Sequence, residues 1–211
     1  MQRVLSTTTT AVAAVAAAAG TNIVRSSVSR EMSGIRPRTW DVFINHRGVD
    51  TKRTIASLLY DRLTQLNLRP FLDNRSMEPG EQLVQSIASA IGSCKVGVAL
   101  FSPRYSESYF CLQELALMVE AKKKVIPIFF DVKPSDLRAM ACAAGCPPKE
   151  MLRFRRALEE ASYTVGLTFD STSGNWSDLV KTATDIIVKN MRVEESKGAC
   201  TLRRTILHSI D

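Results

Sequence analysis

The chain is predicted to fold as an α/β protein built on a parallel sheet with helices on both faces. Two observations predict it. Five short stretches are apolar nearly throughout, as strands buried on both faces are. Between them lie segments whose apolar residues recur at helical period, the alternation that marks a doubly covered parallel sheet. The length, 211 residues, allows one domain of about 150 residues plus tails.

The first apolar stretch is WDVFIN (40–45). Asp50 or Thr51 is placed to cap the helix after it, in which Ile55, Leu58, Leu59, Leu63 and Leu66 hold helical period. RPFLD (69–73) is the second strand, followed by the loop NRSMEPGE with its Pro79-Gly80 turn signal. Leu83, Ile87 and Ile91 form the stripe of the next helix, and KVGVALF (95–101) is the third strand. In SESYFCLQELALMVEAKKK (106–124), Leu112, Leu115, Ala116 and Val119 make one buried stripe, which Glu114 faces away from. VIPIFFD (125–131) is the fourth strand, and a helix over about 149–161 carries Met151, Phe154 and Leu158. YTVGLTF (163–169) is the fifth strand, and a last helix buries Leu179, Ala183, Ile186 and Ile187. Trp40 and Trp176 are read as core residues.

Periodicity alone leaves two strand orders open, 3-2-1-4-5 and 2-1-3-4-5. In the second, the topological switch lies between the first and third strands, and ligands bind beyond the carboxyl ends of such sheets. Those ends are NHRG (45–48) and SPRYSES (102–108), which leads into Glu114. Glu114 is then either a solvated helix carboxylate or the carboxylate of a cleft.

Hydrophobic residues make up 45% of the chain and charged residues 23%, which suits a packed core and excludes wholesale disorder. The net charge of +7 favours an anionic partner. No basic run interleaved with aromatics supports a nucleic-acid groove. The cysteines Cys94, Cys111, Cys142, Cys146 and Cys200 lack CxxC spacing and lie far from His46 and His208, which argues against zinc and for reduced thiols. No apolar run approaches the ~18 residues of a membrane span.

Residues 1–37 are rich in Ala, Ser and Thr and hold no acid before Glu31, so they read as a transit peptide or a disordered extension. The stretch 193–211 shows no strong pattern and reads as a tail. The expected location is the cytosol, with the nucleus included; a chloroplast or mitochondrion reached through residues 1–37 is the alternative.

The blocks WDVFINHRGVDTKRTIASLLYDRL, FLDNRSMEPGEQLVQSIASAI, VGVALFSPRYSESYFCLQELALMVE and VIPIFFDVKPSDLR resemble, in order and spacing, those of TIR (Toll/interleukin-receptor) domains, most of all in plant immune receptors. The resemblance runs from about Thr39 to Arg138 and more loosely to Arg192, so a TIR domain is expected over 38–192. It implies the flavodoxin-like five-stranded sheet of order 2-1-3-4-5. In catalytic members it implies cleavage of the nicotinamide–ribose bond of NAD⁺, with NADP⁺ left open as a further substrate and no cofactor needed. The expected products are nicotinamide with ADP-ribose or a cyclised form, as signals in immunity and cell death.

The family's essential glutamate falls at Glu114 within Cys111-Leu112-Gln113-Glu114-Leu115. A carboxylate there, expected to stay ionised, would stabilise the oxocarbenium-like ribose left by a leaving group that is already cationic. Arg47 would pair with the pyrophosphate, against the alternative of a surface ion pair. Gly48 would let backbone approach the ligand. Phe110 would stack on a ring or anchor the core. Cys111 is more naturally a packed residue than a nucleophile, having no nearby base. His46 is a phosphate contact or a plain loop residue.

The sequence also departs from the family. Asn45-His46 replaces the usual Ser-Phe before Arg-Gly, and Ser57-Leu58 replaces the Ser-His of a self-association contact. The segment AMACAAGCPPKEM matches poorly. No nucleotide-binding ATPase block or leucine-rich repeat follows, and a TIR-only protein is expected. TIR–TIR self-association, with other TIR proteins as further partners, is implied, and the loop DNRSMEPGEQ (73–82) would dock on a neighbouring copy. The competing reading is a non-catalytic adaptor that works by association alone. A phosphoacceptor receiver on the same fold is excluded, because Asn45-His46-Arg47 stands where clustered aspartates are needed.

Overall fold

The structure is a computed structural model and describes residues 39–77, 80, 82–139 and 146–207. Residues 1–37, Glu78, Pro79 and Glu81 of the expected docking loop, most of the AMACAAGC segment and His208 lie outside the described residues.

Five parallel strands stand in the order β2-β1-β3-β4-β5. They are β1 (Val42–His46), β2 (Pro70–Phe71), β3 (Val96–Phe101), β4 (Lys124–Phe130) and β5 (Leu167–Phe169). β1 lies beside β3, with Val42 opposite Val96 and His46 opposite Leu100. The switch point therefore falls between their carboxyl ends, as the flavodoxin-like order requires.

Strand side chains alternate between two apolar layers. Val42, Ile44, Val96, Val98 and Leu100 face the layer of α2 (Ile55–Gln65) and the last helix, α8 (Trp176–Leu207). Phe43, Ala99, Phe101 and Phe129 face the other layer, made by α4 (Leu83–Ser93), α5 (Tyr109–Glu120), α6 (Pro134–Ala139) and α7 (Pro148–Ser162). A Cβ added to Gly97 on β3 would run into the Met118 sulfur. The glycine thus lets α5 lie close against the sheet.

Several elements differ from the sequence expectation. Asp50 and Thr51 do not cap α2; they belong to a separate turn of helix, α1 (Gly48–Thr51), and Thr54 is the N-cap. Asp50 bonds instead to Ser102 and Arg104. Leu58 and Leu66 are 45% and 41% exposed, while Ala56 joins Ile55, Leu59 and Leu63 in the core. The expected loop after β2 opens with a short helix, α3 (Asp73–Ser76). Met151 is exposed. The fifth strand has three residues rather than seven, because α7 runs on to Ser162 and Tyr163 and Val165 are exposed. Trp40 and Trp176 are only partly buried, each packed at the edge of one apolar layer.

The expected tail from 193 is instead the continuation of α8, helical to Leu207. Its first residues are strong helix formers. Glu194 pairs with Lys197 one turn on, at 2.8 Å, and Glu195 with Lys95 at the start of β3, at 2.7 Å.

Candidate active site

A cleft of about 630 Å³ opens at the carboxyl ends of β1 and β3. That volume falls in the ordinary range for small-molecule sites. Its walls come from the β1–α1 turn, α3, the start of α4 and the start of α5, and every site residue expected from the sequence lines it: His46, Arg47, Gly48, Phe110, Cys111 and Glu114.

α5 begins where the Ser108 hydroxyl accepts the Cys111 amide at 3.4 Å. One turn later Glu114, partly buried, turns its carboxyl toward β1, where Asn45 Nδ2 donates to Oε2 at 2.8 Å. The same Nδ2 donates to the Cys111 carbonyl at 3.1 Å. The Tyr105 hydroxyl donates its one hydrogen to Asn45 Oδ1, and its oxygen lies 3.2 Å from that carbonyl. Asn45 and Tyr105 are both fully buried.

This geometry sets Glu114 in the cleft and not on a solvated helix face, and it bears on the expectation that the carboxyl stays ionised. Burial pushes its carboxyl up to about 8; the Asn45 amide opposes that rise and the Asp73 carboxylate adds to it. Cys111 is no nucleophile, since burial pushes its thiol up to about 12 and its Sγ donates to the His46 carbonyl at 3.2 Å.

His46 is not a loop residue but the buried last position of β1. Thr51 Oγ1 spends its hydrogen on the Arg47 carbonyl at 3.0 Å. His46 Nδ1, 3.0 Å from Thr51 Oγ1, must therefore be the donor of that pair. Nε2, which makes no hydrogen bond, lies 3.7 Å from Asp73 Oδ1. Nε2 is also buried, so His46 supports the floor and does not present a phosphate contact. Arg47 forms no ion pair among the described residues, and its Nε is buried without a partner. A Cβ on Gly48 would meet only His46 Cε1, at 4.0 Å, so nothing in the protein demands a glycine there. Phe110, at 41% exposure, offers its ring to the cleft and is not a core anchor.

Sequence reasoning missed the roles of several residues. Asn45 was singled out only as a departure, and Tyr105 only as part of the segment after β3. Lys52 and Arg53 add positive charge to the cleft wall, and Asp73 adds the opposing carboxylate. Asp50 braces the wall: burial raises its carboxyl, but the Ser102 hydroxyl and Arg104 hold it below the usual range.

A family model for the TIR domain matches residues 39–204. The protein of Brachypodium distachyon named "Probable 2' cyclic ADP-D-ribose synthase BdTIR" is 54% identical over 160 residues, 74% of this chain and 71% of that one. Two resistance proteins match far less of themselves. TMV resistance protein N of Nicotiana glutinosa is 36% identical over 47% of this chain and 9% of its own length. RPV1 of Vitis rotundifolia is 33% identical over 70% and 11% respectively. Among solved structures, the TIR domains of the activated Roq1 resistosome superpose with a TM-score of 0.63 at 26% identity, covering 71% of this chain and 99% of that one.

Proposed function

The chain belongs to the TIR domain family, and from that premise we propose that it cleaves the nicotinamide–ribose bond of NAD⁺. The observation that carries the reading is the placement of Glu114 in a cleft at the β1/β3 switch, with a donor on its carboxyl and cations on the wall. The likeness to a relative named as a cyclic ADP-ribose synthase supports it.

The residues divide the work by chemistry. Arg47, with Lys52 and Arg53 beside it, binds the pyrophosphate, and the exposed Phe110 ring stacks on a base. The nicotinamide ring arrives as a cation and lowers the proton affinity of Glu114, so substrate itself favours the carboxylate. The C1′–N bond then breaks and its electron pair neutralises the departing nicotinamide. Glu114 stabilises the positive charge left on the ribose. Water captures that centre and releases a proton, giving ADP-ribose. Capture by a hydroxyl of the same molecule gives a cyclised product of the kind the Brachypodium protein is named for.

Incubating the purified protein with NAD⁺ and resolving products by mass tests this. Nicotinamide with ADP-ribose or its cyclic isomer is expected; intact NAD⁺ beside a folded, concentrated protein would leave the adaptor reading. We further propose a cytosolic protein that self-associates. Among the described residues no helix is long and apolar enough to cross a membrane.

A further inference from the structure

We propose that Asn45 is a positioning residue for Glu114, its amide locked by Tyr105 and the Cys111 carbonyl so that one N–H always points at the carboxyl. The proposal rests on the reading of Glu114 as the group that stabilises the ribosyl cation.

A buried amide and a buried phenol are costly in an apolar layer unless their polar atoms are paired. Asn45 shares the face of Phe43 on β1, the side against which α5 packs. Its orientation is decided by a partner that can only accept. The Cys111 carbonyl requires the NH₂ end, and the same nitrogen reaches Glu114 Oε2. Tyr105 donates to the other end of the amide and polarises it. Hydrogens thus run in one direction, from Tyr105 through Asn45 to Glu114. Turning the amide over would set its oxygen against a carbonyl and a carboxyl.

The chain acts on rotamer and charge together. An N–H donated to a carboxyl favours the ionised form, against burial and against Asp73 on α3. The other titratable groups around the cleft are Tyr105, Cys111, His46 and Arg47, with Asp50, Lys52 and Arg53 on its wall, and among the described residues none of them hydrogen-bonds to Glu114. Where the family usually has serine, the amide at position 45 spans from the strand to the helix.

The test uses the full chain and the variants N45A, N45S, Y105F and N45A/Y105F. One readout is the ¹³C NMR titration of the Glu114 carboxyl without substrate, assigned by its loss in E114Q. The other is the pH profile of kcat/KM with NAD⁺. For N45A the titration should move to higher pH by about 0.5 or more, with kcat falling about tenfold or more and KM changing by less than about threefold. Y105F should move it the same way by less, and the double variant should match N45A. An N45A titration at the wild-type position, or N45A and Y105F shifts that simply add, would overturn the proposal. Should N45A not fold, N45S and Y105F carry the same prediction. Absence of NAD⁺ turnover by the wild type would defeat the enzymatic reading alone, since the carboxyl titration still decides the positioning.

Discussion

Glu114 titrates where a partly buried carboxyl meets an amide on one side and Asp73 on the other, so its protonation state is the variable that the chemistry depends on. The free enzyme should need the carboxylate. kcat/KM for NAD⁺ is therefore expected to rise with pH, half-maximal near 8 and level above about 9, with kcat levelling at lower pH once the cationic substrate is bound. Glu114→Gln keeps shape and hydrogen bonding but removes the charge, and should lower kcat on the order of 10²-fold or more. Its effect on stability has the opposite sign. Because folding raises the proton affinity of Glu114 from 4.5 to about 8, wild-type stability falls as pH rises between those values. The full penalty is present above 8. Thermal unfolding of E114Q and wild type should coincide near pH 4 and separate by pH 9, with the variant more stable by up to about 5 kcal/mol. Equal melting at both pH values would mean that the carboxyl is hydrated after all. The sequence showed where this residue stands, but not its environment. Local spacing put it on the cleft side of α5, whereas its donor lies 69 positions earlier on another strand.

The helices hold the site through a few cross-links. Arg153 of α7 forks onto both carboxylate oxygens of Glu120 and donates to Gln113 Oε1 at 2.6 Å, while Tyr109 reaches Glu150 at 3.1 Å. Two helices are thereby clamped, and one of them carries Glu114. Arg153→Ala should cost about 1 kcal/mol, seen as a Tm lower by several degrees, and Arg153→Lys should recover less than half, since an ammonium cannot fork. An unchanged Tm in the alanine variant would show the fork to be merely a surface pair. At this scale the sequence told much and misled in particular places. All five strands, and the apolar stripes of α4 and α5 apart from exposed Leu83, followed from pattern. β5 was overextended because Tyr163 and Val165 favour strands intrinsically, yet stand exposed beyond the end of α7. The end of α8 was missed because the sequence there shows no apolar stripe, and a pair such as Lys95 to Glu195, 100 residues apart, leaves no periodic trace.

At the scale of the whole molecule, Asp73 of α3 and Leu83 of α4 line the cleft, and between them in sequence Gly80 takes φ +98°. Proline is confined to negative φ. Gly80→Pro should therefore lower turnover while leaving the melting transition in place. If copies complete one another's sites, activity per molecule should rise with protein concentration; flat specific activity over a wide range would mean that each copy works alone. Imaging a C-terminal fluorescent fusion with and without residues 1–37 tests location, and identical cytosolic signal from both is expected. The routes to assembly are also narrowed by how the sheet ends. Its outer strands, β2 and β5, have two and three residues, and β2 begins at Pro70, which has no amide hydrogen to give. A foreign strand finds almost no ladder to extend at either rim. Crowding this protein should thus yield discrete complexes joined through helices and loops, not fibrils that bind thioflavin.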